Sequence, residues 1–113
     1  MVEDPGDKAN IRYQHPSGIL YLFQHDNVPL LIDALLDYPP SREFDVDEFA
    51  EHAGLAQETI TSHLPVLIDV ELIEEVPETS PTRYRVADSP VVQELFELNS
   101  ALNATGTPAA NDQ

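Results

Sequence analysis

The sequence contains no cysteine and a single lysine, Lys8. Without cysteine there can be no disulfide framework, no thiolate nucleophile and no Cys-ligated zinc or iron–sulfur site. Long apolar runs are also missing: the longest candidate, Val28 to Ile32, ends at Asp33 and falls far short of the roughly 18 to 20 residues that span a bilayer. Residues 1–7 carry acids and lack the basic and apolar regions of a secretory signal. We therefore expect a cytoplasmic protein that has no membrane partner.

Positive charge is scarce throughout the chain. There are 21 Asp and Glu against 5 Lys and Arg, which gives a formal net charge of -16 and a sequence pI near 4.1. The acids are spread over the whole length and are not collected at one binding site, which is typical of a protein whose whole surface is adapted to its solvent environment. At molar salt the Debye length falls to about 3 Å, so carboxylate repulsion is largely screened. The composition predicts an extreme halophile; the alternative is an acidic protein of an ordinary cell that avoids anionic partners.

The length of 113 residues and the hydrophobic content of 42% are enough for one small folded domain. Proline and glycine punctuate residues 1–18, and residues 103–113 are mostly small and polar, so both ends are predicted to be mobile tails. The ordered domain is expected over residues 19–102. Because so small a domain has a limited core, a partner subunit would help to stabilise it.

Local signals predict three helices in the first half of this domain. The apolar run at residues 19–23 is too short to separate strand from helix. Asn27 can cap a first helix that ends at Tyr38, and a third helix is expected over residues 57–68. Between them, a second helix should begin at Asp45 and end before Gly54, which supplies the left-handed residue that closes a helix.

The start of the second helix has the most specific signal. Asp45 as N-cap and Glu48 three residues later form the pattern of a capping box. Phe44 before the cap and Phe49 after it occupy the positions of a hydrophobic staple. These residue types in this order predict both where the helix begins and which side chains enter the core.

The second half of the domain is expected to form a hairpin and a last helix. Two short extended runs, residues 72–76 and 82–86, flank a stretch rich in Pro, Ser and Thr. Ser89 as cap and Pro90 in the first turn open a helix over residues 90–102. Its apolar stripe is too wide for a lone surface helix, which indicates a partner. Together with residues 19–23, the expected dimer interface contains Leu95, Phe96, Leu98 and Leu102.

The segment from Phe49 to Leu64 resembles the helix-turn-helix of ArsR-like and MarR-like transcription regulators. Ala50 stands where a small residue lets the two helices cross, Gly54 where the turn needs a positive φ, and Ile60 where the second helix enters the core. The resemblance covers roughly residues 28–102. It implies a winged helix-turn-helix fold, mainly α with a small β-hairpin wing. The helix-turn-helix would lie at about 46–68, the wing at about 72–87 and the C-terminal helix at about 90–102.

The resemblance further implies a sequence-specific transcription regulator, acting as a dimer, that places residues 57–68 in the major groove of double-stranded DNA. Gln57 can pair with adenine, Glu58 can accept from cytosine N4, and Thr61 or Ser62 can reach a base or a phosphate. The alternative for these four residues is a solvated polar face that contacts nothing.

Three arginines are the candidate phosphate contacts. Arg83 and Arg85 alternate along the second hairpin strand, so both lie on one face, where they can reach a phosphate or the minor groove. They can instead form ion pairs with acids of the neighbouring strand, such as Glu74 or Glu75. Arg42, ahead of the second helix, is a further phosphate candidate, and its alternative is a solvated surface position.

The sequence departs from the family pattern in three ways. Ala56 replaces the usual Ser cap of the recognition helix, which forgoes about 0.5 to 2 kcal/mol. Pro65 lies inside that helix and is expected to kink it, although His63-Leu64-Pro65 resembles a haloarchaeal subgroup of winged helix proteins. No Lys or Arg lies between Arg42 and Arg83. Because phosphate neutralisation by this stretch is absent, cations between carboxylates and phosphates would have to support DNA binding.

Other functions have less support. No Ser/His/Asp order or Gly-rich phosphate loop is present, and acids are too frequent for any carboxylate pair to stand out, so an enzyme is not expected. His15, His25, His52 and His63 lack the spacing of metal ligands, and no metal or cofactor is predicted. We expect His63 beside the core and His52 near a helix end. The rival interpretation of the fold is a protein–protein interaction module or an acidic DNA mimic that does not bind DNA.

Overall fold

The computed structural model describes residues 5–106. The described residues form α-helices around one two-stranded antiparallel sheet. The elements are α1 (Pro5–Gln14), α2 (Gly18–Phe23), α3 (Val28–Leu35), α4 (Val46–Ala53), α5 (Gln57–Asp69), β1 (Ile73–Val76), β2 (Arg83–Val86) and α6 (Pro90–Ala104). The mainly helical architecture with one small hairpin confirms the predicted fold class.

The N-terminal segment, expected to be a mobile tail over residues 1–18, contains helical structure. Residues 5–14 form α1, and its side chains from Asp7 to Gln14 are exposed. Pro5 lies in the first turn, where proline is favourable, and neither proline nor glycine interrupts residues 7–14. Of the Pro and Gly residues that suggested a tail, Pro5 and Gly6 lie in the first turn of α1, and Pro16 and Gly18 follow the helix. Residues 1–4 of that tail, and residues 107–113 of the expected C-terminal tail at 103–113, lie outside the described residues.

The apolar run that left strand and helix open is helical. The Ser17 hydroxyl caps α2 by accepting a hydrogen bond from the Leu20 backbone N–H at 3.3 Å. None of the α2 residues is fully buried, and the helix contacts α3. Six apolar-rich residues carry no readable periodicity, so tertiary packing and this cap decide the structure.

The predicted signals at the start of α4 are largely present. The Asp45 carboxylate accepts a hydrogen bond from the Glu48 N–H at 2.9 Å, and the rings of Phe44 and Phe49 lie 5.2 Å apart in the core. Gly54 has φ 74° and closes the helix, as its left-handed position requires. The capping box is incomplete, because the Glu48 carboxylate pairs with Arg42.

Helix α5 continues through Pro65 to Asp69, just beyond its predicted end at residue 68. Pro65 is exposed, so water can hydrate the backbone carbonyl that the proline leaves without a donor. As predicted, Ala56 makes no side-chain capping bond. Ile60 and Leu67 are fully buried, and they fix the helix against α4 and the hairpin.

The hairpin is joined to the segment ahead of α4 by a third, single-residue pairing. Within the hairpin, Glu74 pairs with Arg85 and Val76 with Arg83. The backbone of Phe44 exchanges two hydrogen bonds with that of Tyr84, with N···O distances of 2.8 and 2.7 Å. The wing and the start of the helix-turn-helix are thus part of one hydrogen-bonded unit.

Glu71 ends α5 in a conformation that favours glycine. Its φ is 63°, and the Leu72 N–H returns to the Leu67 carbonyl at 2.9 Å, the pattern of a Schellman motif. We expect Glu71→Gly to raise the free energy of unfolding by up to about 1 kcal/mol, because the left-handed strain of a residue with Cβ disappears. Thermal unfolding measures this; the same change at Glu97, inside α6, should lower stability by about 1 kcal/mol. A Glu71→Gly protein that melts below wild type would contradict the assignment.

Candidate nucleic-acid interface

Four predicted DNA contacts form one exposed stripe on α5. Gln57, Glu58, Thr61 and Ser62 are all exposed, whereas Ile60 on the opposite face is fully buried. Their spacing of one, three and one residues places them side by side on a helix surface. The stripe lies on the second helix of the α4–turn–α5 unit and is open to a ligand over its N-terminal two turns.

Ser62 is already engaged within its own helix. Its hydroxyl donates a hydrogen bond to the Thr59 carbonyl at 2.9 Å. The oxygen also lies 3.2 Å from Nδ1 of His63. In this arrangement Ser62 can offer a ligand an acceptor but not its proton, which favours contact with a donor such as a base amino group.

The two wing arginines, predicted as a pair, differ in their surroundings. Arg85 donates from Nε to the Glu74 carboxylate at 2.5 Å, directly across the hairpin, so it takes the ion-pair alternative. Arg83, the first residue of β2, is exposed. Within residues 5–106, no carboxylate oxygen forms an ion pair with Arg83. Its backbone N–H donates to the Thr79 hydroxyl at 2.8 Å, which fixes the strand start.

Arg42 is held against the protein by two contacts. Its guanidinium pairs with the Glu48 carboxylate and lies over the Tyr38 ring, 5.2 Å from the ring centroid. Half of its side chain is exposed, so it remains on the surface while paired. Of the three arginines predicted to contact phosphate, only Arg83 among the described residues is exposed without an ion pair.

The Tyr38 ring packs against the Arg42 guanidinium, a contact that the sequence did not indicate. The Tyr38 ring stacks on Phe44 at 4.6 Å, and its buried hydroxyl has no hydrogen-bond partner among residues 5–106. Burial raises the pKa of Tyr38, and the nearby Glu48 carboxylate raises it further. Burial likewise raises the pKa of Tyr84 on the wing, with a smaller contribution from Glu75. Both phenols remain neutral at physiological pH, so they add no negative charge to the interface.

The histidines do not form a metal site in the part of the chain that the structure covers. No group of three or more His, Cys, Asp or Glu side chains there is placed to hold a metal ion. His52 near the end of α4 lies 3.1 Å from the Asp37 carboxylate. His63 contacts backbone carbonyls of Thr59 and Asp26, and the second of these contacts spans 37 residues of sequence, which no local pattern could indicate.

A broad apolar surface lies away from the α5 stripe. A groove of about 660 Å³ runs between α2, the end of α5 and α6, and its walls include Ile19, Phe23 and Leu98. Ile19 is 66% exposed, Leu98 47% and Leu102 51%. Leu95 and Phe96, also predicted in the dimer interface, are half-buried and pack against the core. The exposed large apolar side chains of α6 are therefore Val91, Leu98 and Leu102.

None of the described helices is both long and apolar enough to cross a membrane.

No protein-family model matches the sequence, and no curated protein matches it significantly. Among solved structures, the crystal structure of NolR from Sinorhizobium fredii is similar, with a TM-score of 0.57 and 20% sequence identity. The similarity covers 90% of this chain and 95% of the NolR chain. The likeness shows the winged-helix fold, whereas membership of the ArsR-like or MarR-like group stays a prediction.

Proposed function

We propose that the protein is a sequence-specific DNA-binding transcription regulator whose α5 enters the major groove. The observation that carries the proposal is the exposed polar stripe of α5, presented by a helix-turn-helix with an exposed arginine on the adjoining wing. The winged-helix fold that the chain shares with NolR gives it further support. In the proposed complex Gln57, Glu58 and Thr61 contact base edges, and Arg83 contacts a phosphate.

The charge of the protein requires a high-salt setting for this function. With a net charge of -16, long-range repulsion from DNA is strong in dilute buffer and short-ranged at molar salt. We propose that the protein belongs to an extreme halophile and that cations lie between its carboxylates and the DNA phosphates. Binding would then lack the usual steep loss of affinity with salt. If all binding disappears when KCl is raised from about 0.1 to 3 M, this part of the proposal is wrong.

We also propose that two copies form the DNA-binding unit. A single chain offers one exposed, unpaired wing arginine and one recognition helix, which is little for specific affinity. Two copies joined through Leu98, Leu102 and the apolar face of α2 would bury the exposed side chains and double the DNA contacts. An operator with two-fold symmetry is the expected target.

The two wing arginines should respond differently to substitution. Arg83→Ala is expected to weaken operator binding by about 10- to 150-fold per subunit, because one charge-assisted phosphate contact of about 1.5 to 3 kcal/mol is lost. Arg85→Ala should have a smaller effect, since Arg85 is held by Glu74. Fluorescence anisotropy with labelled operator measures both. Glu74→Gln is the matched variant: it frees Arg85 and should increase affinity. Equal losses in the two alanine variants would contradict this assignment.

Selection of DNA fragments from a random pool in about 3 M KCl tests the function itself. Recovery of a palindromic motif by the wild type, and its loss in the Arg83→Ala protein, would establish a dimeric sequence-specific regulator. Because a random pool contains every short sequence, the operator itself is recovered from the selection. Enrichment of unrelated sequences would show only nonspecific affinity for phosphates and would count against base recognition by α5.

A second candidate function is favoured by the ion pairs of Arg42 and Arg85. With both guanidinium groups bound to carboxylates of this same chain, the surface around them is largely acidic. Such a surface suits an interaction module or a DNA mimic that docks a basic protein partner. The double variant Arg83→Ala/Arg85→Ala separates the two functions. It should weaken operator binding by a regulator at least as much as Arg83→Ala alone and leave protein docking by a module nearly intact.

A further inference from the structure

The groove between α2, the end of α5 and α6 combines an apolar wall with exposed acids. Ile19, Val91 and Leu98 belong to the wall, and the volume of about 660 Å³ lies in the range of small-molecule sites. Three exposed acids also line the groove, and we call them the acidic rim: Asp69, Glu71 and Glu94. Among the described residues that line it, none is Lys, Arg or His. A ligand of this groove would therefore meet apolar surface and negative charge together.

The carboxylates of the acidic rim are available to a ligand. Within residues 5–106, no ion pair or side-chain hydrogen bond engages any of the three carboxylates. The three acids lie on the end of α5, on the turn after it and on α6, so the fold brings them together at one groove. Like charges this close repel one another, and a bound cation would relieve the repulsion.

Two aromatic rings complete the groove. Tyr21 and Phe23 line it, and each is 40% exposed, so a ligand can reach part of each ring. The Tyr21 ring makes an edge contact with the ring of His25, at 5.0 Å between centroids. Aromatic faces attract organic cations, because the face of the ring carries partial negative charge. Apolar wall, aromatic rings and carboxylates together favour a ligand that is both apolar and positively charged.

We propose that this groove binds a lipophilic organic cation. The apolar body of the ligand fills the groove against Ile19 and Leu98, and its charge is stabilised by the aromatic rings and the acidic rim. An anion of the same shape would meet the same apolar wall but would be repelled by the carboxylates. The site goes beyond the proposed function and does not depend on DNA binding.

The cation and a second copy of the chain require the same side chains. The proposed dimer buries Leu98 and the apolar face of α2, and both belong to the groove. A bound cation therefore competes with the partner subunit; this consequence, unlike the site itself, rests on the proposed dimer. Rising cation concentration would separate the subunits and weaken binding to a symmetrical operator.

Isothermal titration calorimetry with tetraphenylphosphonium tests the site. Tetraphenylborate is the matched control ligand, because it has the same four phenyl groups and the opposite charge. Both are titrated in about 3 M NaCl, which screens the net charge of the protein and avoids the potassium that precipitates tetraphenylborate. The phosphonium should bind at least about tenfold more tightly than the borate. Equal affinities, or no binding of the phosphonium, overturn the proposal.

Glutamine variants of α6 locate the bound charge. Glu94 and Glu97 are both exposed on this helix, but of the two only Glu94 lines the groove. Glu94→Gln should weaken phosphonium binding about threefold, and Glu97→Gln should leave it unchanged. Tyr21→Leu keeps an apolar side chain without an aromatic face, so it should weaken binding of the phosphonium and not of the borate. Equal losses in the two glutamine variants would show general attraction to an acidic protein and would overturn the proposal.

Sedimentation equilibrium at saturating phosphonium separates the site from the dimer. The mass of the proposed dimer should fall to that of one chain, which supports competition for the groove. A saturated protein that keeps the mass of a dimer overturns the competition. If the protein has the mass of one chain without phosphonium, the proposed dimer is wrong, and calorimetry alone decides whether the site exists.

Discussion

Glutamate in place of both Leu98 and Leu102 is expected to turn the proposed dimer into a monomer. Both leucines are about half exposed on α6, so the substitutions leave the core of each subunit intact. In a two-fold interface each new carboxylate would lie against a carboxylate of the other subunit or be buried away from water. Either arrangement costs several kcal/mol. Sedimentation equilibrium in about 3 M KCl should report the mass of one chain.

Loss of the dimer should also reduce affinity for a palindromic operator by roughly 10² to 10⁴, because the second half-site no longer benefits from a high effective concentration. Leu30→Glu is the control: Leu30 is 54% exposed on α3 and lies outside the predicted interface. It introduces a similar charge and should leave the mass of the assembly unchanged. If the double variant still sediments as a dimer, α6 is not part of the dimer interface.

The fold was predictable where short-range chemistry decides the structure. The Asp45 cap, the Phe44 and Phe49 staple positions and the left-handed Gly54 each act within a few residues, and the structure contains all of them. The N-terminal helices were not predictable in the same way. Residues 7–14 of α1 bury no side chain, and residues 19–23 are too few to show a period.

Phe44→Ala is expected to lower the free energy of unfolding by about 3 to 5 kcal/mol. The Phe44 ring is fully buried between Tyr38 and Phe49, at 4.6 and 5.2 Å between ring centroids. Its removal would leave a cavity at the point where the wing pairs with the start of α4. Since domains have only about 5 to 15 kcal/mol of stability, the variant should be close to unfolded in dilute buffer.

Thermal unfolding followed by circular dichroism in about 3 M KCl measures this effect while salt screens the acidic side chains. Tyr13→Ala provides the control, because Tyr13 is exposed on α1 and its loss should change stability by less than about 0.5 kcal/mol. If the Phe44→Ala protein melts within a few degrees of wild type, the aromatic cluster of residues 38, 44 and 49 does not stabilise the domain as described.

The candidate site was predictable only in part. The helical period places Gln57, Glu58, Thr61 and Ser62 on one exposed stripe, and the structure agrees. Which wing arginine forms an ion pair with a carboxylate of β1 depends on the hairpin register. The sequence left open whether Arg83 and Arg85 contact phosphates or form such ion pairs. The pairing of Arg85 with Glu74, and not with Glu75, follows from cross-strand positions that only the folded hairpin defines. The long-range contact between His63 and Asp26 has no local signal at all.

The double hydrogen bond between Phe44 and Tyr84 has a mechanical consequence for recognition. It fastens the returning wing strand to the residue just ahead of α4, and α4 packs on α5. These hydrogen bonds therefore help to fix the span between the wing and α5, the candidate recognition helix. Duplexes whose groove width already matches this span need no deformation, whereas others must bend to fit. Under the proposed function, the protein would select DNA by its shape as well as by its base edges.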